Sequence, residues 1–121
     1  MIPEKIAVNI AGGLDVELPR MIRVRQKFDC VEIPSVVDAV TEQFADPTMA
    51  RRIQPGMKIA VGCGSRGIAN VAQCARAVVD QLRALGAEPF IFPAMGSHGS
   101  ASAEGQVKVL DSLGINEQTM G

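Results

Sequence analysis

Two residues of this sequence have side chains suited to a substrate site. They are Arg66, in the loop Gly62-Cys63-Gly64-Ser65-Arg66-Gly67, and His98, the single histidine, in the loop Gly96-Ser97-His98-Gly99. A guanidinium is planar and permanently charged, so it binds a carboxylate or phosphate through paired hydrogen bonds. An imidazole titrates near neutral pH and can take and return a proton. The two residues predict a small-molecule site without naming its reaction.

Both loops follow segments that we predict to be strands of one parallel sheet. Residues 58–61 form the first strand, residues 89–92 form the second, and a helix of about five turns ending at Leu85 lies between them. In a right-handed crossover both strands end at the same edge of the sheet. Open α/β sheets bind their ligands at that edge. We therefore expect Arg66 and His98 to lie side by side.

The N-terminal part of the chain, residues 5–33, is predicted to be β structure. Residues 6–10 fit a strand and residues 11–13 fit a turn. Residues 21–26 alternate apolar and basic side chains with the period of a strand. The basic side chains favour a solvated face or edge strand over an anion-binding role.

Helix-capping residues predict three further helices. Ser35 begins one with an apolar stripe, Asp46 and Pro47 begin a short one, and Ser100 or Ser102 begins the last. Gly114 ends this last helix, and Ile115 is expected to fold back on it. The apolar stripes of the first and last of these helices are Val36, Val37, Val40 and Phe44, and Val107, Leu110 and Leu113.

This order of elements predicts an α/β fold, a three-layer Rossmann-like domain with a mostly parallel sheet. Residues 1–121 are expected to form a single domain. Such a domain normally continues with another strand after a loop like the one that follows Gly114. We therefore expect the chain to be the N-terminal fragment of a longer protein.

Composition argues against several classes of function. The chain has 121 residues, 12 Lys and Arg against 13 Asp and Glu, and a formal charge of -1. This balance gives no electrostatic reason to bind nucleic acid or an anionic membrane surface. The absence of Tyr and Trp removes the usual stacking platforms for bases. No apolar run approaches the roughly 20 residues that span a bilayer, and the N-terminus lacks a signal-peptide pattern.

The three cysteines, Cys30, Cys63 and Cys74, form no CxxC pair, which favours a reducing, cytoplasmic setting. Cys30 and Cys74 are predicted to lie in the core. Cys63 precedes a helix start and Arg66, so it could be a nucleophile with a lowered pKa. A small side chain packed at a strand end is the favoured alternative, because cysteine is often buried. One histidine and three scattered cysteines lack metal-ligand spacing, so we assign no metal ligand.

The first loop fits the pattern GxGxxG between a strand and a helix, where backbone N–H groups suit a phosphate or carboxylate. A dinucleotide site also needs an acidic residue after the second strand, and residues 93–98 contain none. NAD is therefore disfavoured. The structural alternatives are a tight turn that requires glycines and, for His98, a histidine that only caps or hydrogen-bonds locally.

The two loops, with a helix of suitable length between them, make the chain similar to a known family. Gly64-Ser65-Arg66-Gly67, Gly96-Ser97-His98-Gly99 and residues 100–106, Ser-Ala-Ser-Ala-Glu-Gly-Gln, resemble the N-terminal domain of the nickel-pincer-nucleotide lactate racemase family. The resemblance implies an isomerase that inverts the α-carbon of a small 2-hydroxy acid by hydride transfer to the cofactor and back.

By position, the resemblance implies a role for each loop residue. His98 corresponds to a catalytic acid/base histidine and Arg66 to the arginine that holds the substrate carboxylate. Cofactor contacts are implied for the small residues of the two loops, Gly64, Ser65, Gly67 and Ser97.

The chain departs from the family in two respects. The racemases have an aspartate three residues before the arginine, where this chain has Cys63, and the change favours another hydroxy acid or an altered cofactor contact. The family's second histidine, cofactor-linked lysine and metal-ligand histidine should fall beyond Gly121. We therefore expect activity only together with the remaining C-terminal part of the parent protein. The alternatives are a non-catalytic anion- or nucleotide-binding α/β module, or a structural fragment.

Overall fold

A computed structural model describes Ala11, Glu17 and residues 20–121 of the chain. The predicted strand at residues 6–10 and most of the predicted turn lie outside the described residues. Contacts divide the chain into two compact units, Met1–Val31 and Glu32–Gly121.

In the first unit, residues 20–31 are exposed and have no regular secondary structure. The predicted strand at residues 21–26 is therefore wrong, because alternation of side chains does not form a strand without a paired neighbour. Ile22 and Val24 are 81% and 79% exposed, so neither faces a core. Cys30 is exposed as well, which corrects the prediction that it belongs to the core.

The second unit contains helices and strands in alternation. Its elements in chain order are α1 (Val36–Phe44), α2 (Pro47–Ala50), β1 (Lys58–Cys63), α3 (Val71–Ala84), β2 (Glu88–Pro93), a short turn at Gly99–Ala101, α4 (Ala103–Ser112) and α5 (Glu117–Met120). Of the helices within the described ranges, none has the length and apolar character needed to cross a membrane.

β1 and β2 form a parallel two-stranded sheet, as the sequence predicted. Their register runs from Lys58 opposite Glu88 to Cys63 opposite Pro93. Odd-numbered side chains of both strands are covered, whereas even-numbered ones are exposed. The sheet therefore has one covered face, and the described residues combine helices with a small parallel sheet.

The two prolines of β2 lie at positions whose N–H groups would not bond to β1, so they remove no hydrogen bond from the sheet. The N–H groups of Glu88 and Ala94 donate to the carbonyls of Met57 and Cys63, each at 2.8 Å. Because donors alternate along a parallel strand, even-numbered residues of this segment bond to β1. Pro89 and Pro93 consequently occupy the edge turned away from β1, where strands tolerate proline.

The core of the second unit lies between the covered face of the sheet and three helices. Cys63 at the end of β1 packs with Ala75 of α3, Leu110 of α4 and Met120 of α5. Cys74 is half-buried on α3, so its predicted core position is only partly reached. The sequence did not predict α5, whose final carbonyls accept hydrogen bonds from Arg83.

Several predicted helix ends are confirmed. Ser35, Asp46 and Ser102 cap α1, α2 and α4 through side-chain oxygens that accept backbone N–H groups. Ser102, rather than Ser100, is therefore the cap of α4. Ile115 folds back after Gly114 and donates its N–H to the Leu110 carbonyl at 2.9 Å, as in a Schellman motif.

Leu110 should contribute more to stability than its neighbour on the same helix. Leu110 is 5% exposed and Val107 is 58% exposed. Truncating a buried leucine typically costs about 2–5 kcal/mol, whereas an exposed change stays within about 0.5 kcal/mol. Urea unfolding followed by far-UV circular dichroism should show the larger loss for Leu110→Ala and little change for Val107→Ala. Equal losses would contradict the proposed packing of α4 on the sheet.

Candidate functional site

The two predicted loops leave the same edge of the sheet. The ladder between β1 and β2 continues one step beyond the strands, through the hydrogen bond from Ala94 N–H to the Cys63 carbonyl. The arginine loop begins immediately after Cys63, and the histidine loop begins after Ala94. The sheet therefore brings both loops to one place, as a parallel crossover requires.

A hydrogen bond joins the two loops directly. Ser65 Oγ lies 2.5 Å from His98 Nδ1, and both side chains are partly buried. The sequence predicted that the loops converge, but it did not predict that Ser65 would be the partner of His98. This bond rules out a histidine that bonds only within its own loop, because Ser65 is 33 residues earlier in the chain.

Arg66 follows Ser65 and remains exposed. Its guanidinium makes no hydrogen bond or ion pair with any residue that the structure describes. Arg66 lines a small cavity of about 70 Å³ together with Gly64, Ser65 and Gly67. The cavity lining includes neither His98 nor Ser97, so the structure links Arg66 to His98 only through their common neighbour Ser65.

The N-terminus of α3 lies beside this cavity, because Val71 belongs to both. Asn70 precedes the helix in the left-handed conformation, with φ 57°, and its side chain makes no capping bond. The first N–H groups of a helix have no partner within the helix. The arginine loop therefore combines a guanidinium with helix N–H groups that no described side chain caps.

The histidine loop has a backbone conformation that favours glycine. Gly96 and Gly99 have φ values of 61° and 62°, and Ser100 and Ala101 also have positive φ values, 58° and 54°. Such angles cost non-glycine residues energy, so surrounding contacts must hold the loop. Strain of this kind is common at functional sites.

The first turn of α4 supplies those contacts. Gln106 Nε2 donates to the Gly96 carbonyl at 2.7 Å, and Ser102 Oγ donates to the Gly99 carbonyl at 3.1 Å. A Cβ added at Gly105 would lie 2.7 Å from the carbonyl carbon of Gly99, which leaves no room for a side chain. Ser102, Gly105 and Gln106 therefore fix the loop that bears His98, a role the sequence alone did not reveal.

Cys63 has the properties of a packing residue. It is 5% exposed, and burial raises the pKa of its thiol above the usual 9.0. A higher pKa leaves less thiolate at neutral pH, and the thiolate is the nucleophile. The structure supports the packing interpretation of Cys63 over the nucleophilic one.

The described residues do not form a metal site. Across Ala11, Glu17 and residues 20–121, no group of three or more His, Cys, Asp or Glu side chains is placed to hold a metal ion. The 70 Å³ cavity of the arginine loop is also smaller than the roughly 300 Å³ at which ligand pockets usually begin. The arginine loop therefore does not by itself enclose a nickel-containing nucleotide.

Comparison with known proteins gives no match to a family model, to a curated protein or to a solved structure.

Thiol labelling tests the position of Cys63. In the native chain at pH 8, iodoacetamide should modify the exposed Cys30 quickly, while Cys63 reacts only after unfolding in urea, because burial both shields the thiol and raises its pKa. Peptide mass spectrometry measures both rates, and Cys63→Ser serves as a control that leaves the Cys30 rate unchanged. Native labelling of Cys63 as fast as that of Cys30 would contradict this placement.

Proposed function

We propose that this chain is the N-terminal domain of an isomerase that racemises or epimerises a small 2-hydroxy acid. The observation that supports this most is the hydrogen bond between Ser65 Oγ and His98 Nδ1, because it holds the imidazole beside the loop that bears Arg66. The residue pattern of both loops, Gly64-Ser65-Arg66-Gly67 and Gly96-Ser97-His98-Gly99, is the basis for naming the racemase family.

The proposed substrate has two groups that match the two side chains. Its carboxylate pairs with the guanidinium of Arg66, which has no other partner among the described residues. Its hydroxyl O–H meets His98, which removes the proton from oxygen and later returns it. Nδ1 is already hydrogen-bonded to the hydroxyl of Ser65, so Nε2 is the ring nitrogen that meets the hydroxyl of the substrate.

The nickel-pincer nucleotide is part of this proposal, with its covalent and metal contacts on the parent protein outside this chain. Gly64, Ser65, Gly67 and Ser97 are the residues proposed to face it. The described side chains offer no metal-ligand set. We therefore assign no reaction step to the metal. The role proposed for this chain is restricted to substrate binding and proton transfer.

We also propose that the domain in its parent protein is a three-layer Rossmann-like fold in a cytoplasmic enzyme. Phe90 and Phe92, on the uncovered face of the sheet, are 52% and 42% exposed. Large aromatic side chains on a sheet face are usually covered, so this face supports a further layer of helices from the parent protein.

A non-catalytic module that binds an anion or nucleotide is the second candidate. The start of α3 lies beside Arg66, and neither has a side-chain partner among the described residues. This observation favours binding of an anion without any use of His98. The two candidates differ in whether the imidazole is needed.

Replacing His98 separates these candidates. In the full-length parent protein loaded with cofactor, His98→Ala should lower the rate of racemisation by about 10²–10⁴-fold, the usual contribution of a general acid or base. Binding of the hydroxy acid, measured by calorimetry, should change little because Arg66 remains. Chiral chromatography of the product measures the rate.

The exposed α5 residue Gln118 lies outside both loops, so Gln118→Ala is the matched control and should keep the full rate. Unchanged racemisation in His98→Ala would remove His98 from the reaction, whereas a wild-type protein that binds the hydroxy acid without racemising it would leave the binding module.

Arg66→Lys keeps the charge and removes the planar fork of donors. We expect KM for the hydroxy acid to rise about 10- to 100-fold, the equivalent of one charge-assisted hydrogen bond, while kcat changes less. Steady-state kinetics measures both. Arg51→Lys, at an exposed arginine outside the two loops, is the control and should leave KM unaltered. An Arg66→Lys enzyme with normal KM would remove Arg66 from the substrate site.

A further inference from the structure

We infer that Ser65 is a positioning residue for His98. Its hydroxyl keeps the ring proton of His98 on Nδ1, so that Nε2 is the nitrogen that meets the substrate. This inference rests on the proposed function, because it assigns a role within the same site. It is carried by the contact of Ser65 Oγ with His98 Nδ1 at 2.5 Å, which joins two separate loops.

A hydroxyl suits this task because it can accept a hydrogen bond in both charge states of the ring. When the ring is neutral and acts as a base through Nε2, the proton on Nδ1 donates to Ser65 Oγ. When Nε2 has taken the substrate proton, the same Nδ1–H donates to the same oxygen. The partner of the other ring nitrogen determines which nitrogen is protonated. The bond therefore persists while only Nε2 gains and loses a proton.

Both partners of this bond are held by rigid parts of the fold. Ser65 lies two residues after Cys63, which is buried in the core at the end of β1. His98 lies between Gly96, bound by Gln106, and Gly99, in close contact with Gly105. Side chains fixed in this way keep a catalytic group in a productive orientation. The ring of His98 is therefore oriented from both loops.

A different use of the same pair is a serine nucleophile activated by the histidine. A nucleophile of that kind is normally assisted by a base that a third group orients. The described part of the chain supplies no hydrogen-bond partner to Nε2 of His98. The arrangement favours Ser65 as the group that orients His98 rather than as an attacking group. Covalent labelling of Ser65 by a fluorophosphonate would overturn the inference.

Because His98 is the single histidine, its ring can be observed without assignment ambiguity. We would label the chain with ¹⁵N-histidine and measure the ring nitrogen shifts by NMR at a pH where the ring is neutral. Wild type and Ser65→Thr should show mainly the Nδ1–H tautomer. Ser65→Ala should shift the population towards Nε2–H.

Ser112→Ala, at an exposed serine at the end of α4 and outside both loops, is the matched control and should resemble wild type. The inference fails if wild type shows mainly Nε2–H, or if Ser65→Ala leaves the tautomer ratio unchanged. Folding of each variant is checked by far-UV circular dichroism, and the hydroxyl of Ser65→Thr keeps the test valid if the alanine variant unfolds.

Kinetics in the full-length protein completes the test. Ser65→Ala should lower kcat about 10- to 100-fold with KM little changed, as for other residues that orient a reacting group, and Ser65→Thr should restore it. If the wild-type full-length protein does not racemise the hydroxy acid, the proposed function fails whatever the tautomer result. If His98→Ala is inactive but Ser65→Ala keeps both its tautomer ratio and kcat, only the role of Ser65 fails.

Discussion

The parallel pairing of β1 with β2 is the constraint on which the site depends. The register that places Cys63 opposite Pro93 sets where each strand ends, and one more ladder bond extends it to Ala94. Burial of Cys63 against α3 and α4 prevents β1 from shifting by one residue, since a shift would turn every side chain to the other face. Ser65 and His98 can meet only because this register is fixed.

The electrostatic character of the site depends on Cys63 being uncharged. A carboxylate at this buried position would place a charge in the core at high cost. Because it would lie three residues before Arg66, it would also place a negative charge near the guanidinium. A neutral thiol, whose pKa burial raises, avoids both effects. No acidic side chain among the described residues forms an ion pair with Arg66. The guanidinium therefore stays available to an anion from solution.

Features encoded locally could be predicted from the sequence, and features that depend on distant contacts could not. The caps at Ser35, Asp46 and Ser102 and the strands on either side of α3 have short-range signals, and all were found. The bond between Ser65 and His98 depends on a loop with four positive φ angles, held by Gly105 and Gln106 from the next helix. The strand predicted at residues 21–26 failed because the periodicity of a segment does not say whether a neighbour will pair with it.

The prolines of β2 have a consequence for how the sheet meets other molecules. At the edge turned away from β1, the donor positions are Pro89, Ile91 and Pro93, and only Ile91 has an N–H group. A foreign β-segment that approached this edge would find one donor where an ordinary strand offers three. Edges built in this way resist the strand-to-strand polymerisation that leads to aggregates. The β2 edge is therefore a poor template for fibrils, although the described sheet has a second edge, at β1, that contains no proline.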